Sequence, residues 1–431
     1  MSGEDEEIFR EGLGYYAAAE LKPAAIDLIN KYSGNKLWVG CDCQPSKAIS
    51  PRLWPVAKKG FRRNLNSKHT QHSTECEFNQ DAVPAKRVRA SFQRKTRSEG
   101  ILKFRLATGF TEKKQDDLPP PSNKINRSTY RPGLARLLCE LLTDAGVQEI
   151  NPQDHFPGKA RYDTMINDIM LAAANFEIAE NRYLCDWIAV GLDGLPGLKR
   201  RIAAEQPENW AGMRPHGILI CNIAEAGDKE LMFDSVELDP LPVLGRIAVF
   251  GERNAKDRAP YLAICLVAKD DYTSSYPEVL RAYVHPCLNW SKWTLVDSKL
   301  ERETVNRAQR CRFGLSKNKN ISVKITKPLF DCNYRDPSEY EPVCIPDFLV
   351  ELLGEKKIPT VVVETMGYTD LRYRNRKKRM REYFERIDVR GSGVNASMVY
   401  HDPTAFPDDE SAHVGFYEEL FKCLVELSIG G

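Results

Sequence analysis

Cys344-Ile345-Pro346-Asp347-Phe348-Leu349-Val350, a turn over Gly354 to Pro359, then Thr360-Val361-Val362-Val363-Glu364-Thr365-Met366-Gly367: this stretch decides how the last third of the 431-residue chain is read. Each half is an apolar, β-branched run of strand length bounded by Gly or Pro, which predicts two neighbouring strands. Each also carries one acid. A run such as Thr360 to Val363 is buried on both faces, so Glu364 stands where the strand emerges, a costly place for a carboxylate without a partner. Two convergent carboxylates supply the hard oxygens that magnesium or manganese takes while keeping waters for chemistry.

Working outward, Leu300 to Arg312 reads as a helix, Ile321 to Asp331 as a strand, Tyr373 to Ile387 as a basic helix and Ala396 to Tyr400 as a further strand. On the basic helix, 3.6-residue spacing puts Lys377 on the face of Tyr373, Met380 and Phe384, which is expected to pack against the sheet near Glu364. Lys378 points about a quarter-turn away.

These residues resemble the PD-(D/E)XK nuclease superfamily. Pro346-Asp347 stands at its first motif and Glu364-Thr365-Met366 at its second, and the order helix, three strands, helix, strand agrees. The resemblance covers about the last third of the chain and implies metal-dependent hydrolysis of DNA phosphodiesters. The family's lysine, two residues after the second acid, is here Met366, and a thioether neither orients water nor stabilises charge. Lys377 is the expected replacement. An acid of the first helix, Glu301 or Glu303, is expected to add or orient a ligand. The resulting catalytic set is Asp347, Glu364, Lys377 and Glu303, with Asp347 and Glu364 as ligands of Mg or Mn. A non-catalytic nucleic-acid-binding or assembly protein that retains the nuclease fold is the alternative, and Met366 is its best support.

Further upstream, Cys41-Asp42-Cys43 and His72-Ser73-Thr74-Glu75-Cys76 offer two pairs of soft ligands, with His69 as a neighbouring competitor to His72. Thiolate and imidazole together suit zinc, and a site with all four positions closed is structural, leaving no water to activate. Cys41, Cys43, His72 and Cys76 are therefore the expected structural zinc ligands.

The expected architecture is multidomain α+β, since 431 residues exceed one ordinary core. Residues 1–35 read as N-terminal helices, 36–128 as a basic zinc-binding region and linker ending at Pro119-Pro120-Pro121, and 129–215 as a helical module whose helix–helix–strand order suits a winged helix. Residues 216–297 read as a β-rich region and 298–431 as the nuclease-like core. No glycine-rich phosphate loop follows any strand of the middle, which argues against a nucleotide-hydrolysing motor.

With 42% hydrophobic and 28% charged residues the chain is soluble and globular by composition. The absence of an eighteen-residue apolar run and the acidic start Glu4-Asp5-Glu6-Glu7 give a cytoplasmic expectation with no membrane partner. Twelve cysteines in such a compartment are not a disulfide framework, and Cys139, Cys221, Cys265 and Cys423 lie in apolar stretches where a thiol is a small hydrophobe. The net charge of +2 hides basic blocks at Lys86 to Arg97 and Arg372 to Arg381, suited to phosphate backbones and hence to DNA as partner. The whole layout also resembles an uncharacterised bacterial family linked to plasmids and integrative conjugative elements. Cys41-Asp42-Cys43, His72 to Cys76, Leu142 to Gly146 and Glu364-Thr365-Met366-Gly367 with Tyr373 and Lys377 carry that resemblance, which implies mobile DNA and mobile-element proteins as the setting.

Overall fold

The computed structural model describes residues 39–40, 52–56, 60–63, 90–94, 100–107, 131–154, 159–211, 213–235, 237–250, 259–270, 276–332, 343–354, 360–367, 371–387 and 396–430. The expected zinc ligands Cys41, Cys43, His72 and Cys76 lie outside them, as does His69. No helix among the described residues is long and apolar enough to cross a membrane.

The chain divides into two compact units. The smaller, residues 1–92, 121–130 and 333–343, contains an antiparallel sheet of Val39–Gly40, Arg52–Val56 and Gly60–Arg63. The larger, residues 93–120, 131–332 and 344–431, is built on two five-stranded sheets.

The first of these sheets is made of β2 (Ile188–Val190), β3 (His216–Ile223), β4 (Ile247–Val249), β5 (Tyr261–Ala268) and β6 (Glu278–Pro286), in the order β4-β6-β5-β3-β2. Its central strand β5 is apolar throughout and every residue of it is buried, as expected of a strand covered on both faces. Helices α1 (Gly133–Asp144), α2 (Lys159–Ala173) and α3 (Leu195–Ala204) complete its core. In α1, Leu134, Leu137, Leu138, Leu141 and Leu142 recur at helical spacing and are buried. Gly146, with φ of +66°, then turns the chain out of the helix. One core runs from Leu102 to Phe330, so the segments 129–215 and 216–297 share a sheet and an interior.

The second sheet contains β1 (Glu149–Ile150), β7 (Ser322–Thr326), β8 (Phe348–Leu353), β9 (Val361–Thr365) and β10 (Ser397–His401), in the order β10-β9-β8-β7-β1. Only the β9–β10 pair is parallel. Helices α4 (Lys299–Lys319) and α6 (Asp409–Gly430) cover one face, and α5 (Leu371–Phe384) covers the other. Strand alternation sorts the side chains. Val361 and Val363 pack with Val305, Ala308 and Phe416, whereas Val362 and Leu349 pack with Met380 and Phe384 of α5.

The strand β1 belongs to the loop after α1, so the nuclease-like sheet takes its edge, Ile150 paired with Ile325, from far upstream in the chain. Arg312 of α4 fixes this edge. It is buried and donates to the carbonyls of Asn151, Pro152 and Asp154 at 2.8, 2.7 and 2.6 Å.

Candidate metal centre

Asp347 precedes β8 and Glu364 lies in β9, one step past the Phe348–Val363 pair. Counting by twos from Leu349 and Val362 puts both acids on the α5 face. The Asp347 amide donates to Glu364 Oε1 at 2.9 Å. Asp347 Oδ2 accepts from the amide and the hydroxyl of Thr365, each at 2.7 Å. Lys377, on the inward face of α5, donates to Asp347 Oδ2 at 3.0 Å and to Glu364 Oε2. One ammonium thus bridges two carboxylates of neighbouring strands.

Met366 is buried and its amide donates to the His401 carbonyl at 2.9 Å. It stands two residues after Glu364, and the ammonium at the two acids is that of Lys377 from the helix.

A second acid–lysine group adjoins the first. Ser298 caps α4 by accepting from the Glu301 amide at 3.1 Å, and Glu301 Oε2 accepts from the Asp297 amide at 2.9 Å, a variant of the capping box in which the glutamate takes the amide one residue before the cap. The same oxygen accepts from Lys327 Nζ at 2.7 Å, and Asp297 stands 3.7 Å from that ammonium. Lys327 also lies over the Phe348 ring, 5.2 Å from its centroid.

The charges act on one another. Burial and the neighbouring Asp347 push the Glu364 carboxyl up to about 7. Burial, with Asp297 and Asp347 nearby, outweighs Lys327 and raises Glu301 to about 8. Burial works against ionisation of Asp347 too, but Lys377, Lys327 and the Thr365 bonds hold it below the ordinary range. Lys327 stays firmly protonated: burial opposes its charge, and Asp297, Glu301 and Asp347 overcome that. Four acids face two lysines here, and the raised values on Glu301 and Glu364 come first from their burial and then from the neighbouring carboxylates.

Of the residues singled out in sequence, Asp347, Glu364 and Lys377 come together. Glu303 does not join them: it binds Arg307 at 2.6 Å, and Arg307 in turn reaches Glu410 at 3.1 Å. Glu301, one turn-face away, lies on the Asp347 side. Lys327 is a further member of the site that motif reasoning misses. The signal for it is its parity with Val323 and Ile325, the buried positions of β7, since a lysine continuing an apolar face needs buried acids to meet it.

Among the described residues no three His, Cys, Asp or Glu side chains gather as a ready-made metal cage. The pair Asp347 and Glu364 suits a magnesium-type ion, which accepts one or two carboxylates and fills the remaining positions with waters.

Residues 297–399 match the family described as the Restriction endonuclease-like C-terminal domain, residues 104–287 match a domain of unknown function, and residues 1–82 match another. The chain is 32% identical over 191 residues to an uncharacterized protein in the cib 5' region of Escherichia coli, an alignment spanning 43% of this chain and 80% of that protein. No solved structure matches.

Proposed function

From the premise that this chain belongs to the family of that Escherichia coli protein and carries a restriction endonuclease-like C-terminal domain, we propose that it is a metal-dependent deoxyribonuclease of a mobile genetic element. The observation that carries the reading is the convergence of Asp347 and Glu364 on a single cation, the Lys377 ammonium, at 3.0 Å from Asp347. Those two carboxylates would hold Mg²⁺ or Mn²⁺. When bound, the ion would polarise a phosphodiester and lower the pKa of a bound water.

The chain's own residues do the rest. Thr365 fixes the orientation of Asp347, Lys327 locks Glu301 beside the pair, and Lys377 offers an ammonium to charge developing on the attacked phosphate. The basic residues of α5 add attraction for the DNA backbone. Cys41, Cys43, His72 and Cys76 would hold a structural zinc, which metal analysis of the purified protein tests.

A second reading, a DNA-binding protein that keeps the fold without cutting, is favoured by the buried Met366. Incubation of the full chain with single-stranded, duplex and branched DNA in Mg²⁺ or Mn²⁺ separates the two. The nuclease reading expects cleavage of at least one form. Salt-sensitive binding with no cleavage of any form would instead leave a binding platform.

A further inference from the structure

Lys377 and Lys327 both neutralise acids of the site, but they are held differently. Lys327 is 4% exposed, pinned by Glu301 at 2.7 Å and Asp297 at 3.7 Å and covered by Phe348. Lys377 is more open to solvent, at 14% for its side chain, and arrives on a helix whose next residue, Lys378, is exposed. Its neighbours are engaged elsewhere: Arg374 binds Asp402 at 2.9 Å and Arg381 binds Glu385 at 2.6 Å. A lysine is a compact charge on a flexible four-carbon stem, so it can leave its partners while the helix stays in place.

The oxygens it engages are Asp347 Oδ2 and Glu364 Oε2. A divalent ion held by these carboxylates needs the space and the unneutralised charge that the ammonium takes. Both cannot be satisfied at once.

We propose that Lys377 is an internal counter-ion that competes with the divalent metal for Asp347 and Glu364, so that metal entry and withdrawal of the ammonium form one linked step. The inference rests on the nuclease reading and adds regulation to the same site. It has a corollary through linkage. A phosphodiester that draws the Lys377 ammonium outward vacates the carboxylates, so DNA phosphate and metal strengthen each other's binding by the same factor. The site would then load metal mainly when a phosphate backbone is present, and Lys377 would already face the group it is to stabilise.

The test is calorimetric titration of Mn²⁺ alone into the full chain without nucleic acid, for wild type, Lys377→Met, Lys377→Gln and Lys378→Met. The expected result is binding at least tenfold tighter in both Lys377 variants, with Lys378→Met within about twofold of wild type. Gln keeps a hydrogen-bond donor for the two acids, so it serves where Met impairs folding. Equal or weaker Mn²⁺ binding in folded Lys377 variants overturns the inference. If wild type nonetheless cuts DNA, the nuclease reading stands without it. Tighter binding in the variants beside a wild type that cuts no DNA supports the counter-ion and sinks the nuclease.

Discussion

Thr365 gives both of its donors to one oxygen of Asp347, the amide and the hydroxyl each at 2.7 Å. The acid is therefore aimed from the neighbouring strand. A hydrogen bond to a charged group contributes about 1.5–3 kcal/mol. Thr365→Val keeps the shape and the amide bond but loses the hydroxyl, so cleavage is expected to fall by about ten- to a hundredfold while the fold persists. Thr365→Ser is expected to stay near wild type. Measured kcat for the two variants decides this, and an unaffected Thr365→Val shows that the hydroxyl does not orient Asp347.

Lys327 and Glu301 form a buried pair at 2.7 Å. Removing Lys327 leaves Asp297 and Asp347 as well as Glu301 without the cation they share and costs about 3–5 kcal/mol, whereas replacing both partners of a buried pair by apolar groups of similar volume is often neutral. Lys327→Met is therefore expected to be strongly destabilised in urea unfolding, and Lys327→Met combined with Glu301→Leu to recover part of the loss. Additive losses in the double variant would show that the pair is not coupled.

Arg312 joins the nuclease-like sheet to the strand Glu149–Ile150 through three carbonyls. The matched segment 297–399 lacks both that edge and α6, whose Phe416, Leu420 and Leu424 fill the core against α4. A fragment of residues 297–399 is expected to melt without a cooperative transition, while Arg312→Met in the full chain loses about 3 kcal/mol, since three carbonyls lose a charged donor. A sharp thermal transition in the isolated fragment would contradict this.

His216 is fully buried, donates from Nδ1 to the Arg214 carbonyl at 2.9 Å, and is held down to about 4 by burial. The unfolded chain takes up this proton near pH 6.5 and the folded one only near 4, so His216 contributes stability at neutral pH that is lost as pH falls through that window. Relative to His216→Asn, which keeps a donor and does not titrate, wild type is expected to lose about 2 kcal/mol between pH 6.5 and pH 5. A pH-independent difference between the two in urea titrations would show that His216 is not a buried neutral group.

The strands bearing Asp347 and Glu364 are legible in sequence because β-branched runs, a turn and emergent acids are local signals. The basic helix and the inward aim of Lys377 follow from 3.6-residue spacing. The apolar pattern of the helix begun at Leu300 stops at Arg312, yet the helix extends to Lys319, because its last turns are polar on most faces and beyond Arg312 Leu315 is the buried residue that anchors them. What was hidden is non-local. The edge strand Glu149–Ile150 is two residues long and gains its identity only from pairing with Ile325 and Thr326. The choice between Glu301 and Glu303 turns on partners distant in sequence: Lys327 draws the first inward, and Arg307, itself tied to Glu410, keeps the second away.

The central claim is that Asp347 and Glu364 together hold the ion that cuts DNA. The most direct measurement is Mn²⁺-dependent cleavage by Asp347→Asn and Glu364→Gln, each shown by thermal melting to be folded and by DNA titration to bind as wild type does. The account predicts at least a thousandfold loss of cleavage in each variant with DNA binding retained. Cleavage at the wild-type rate in either folded variant would contradict it and assign the chemistry to other residues.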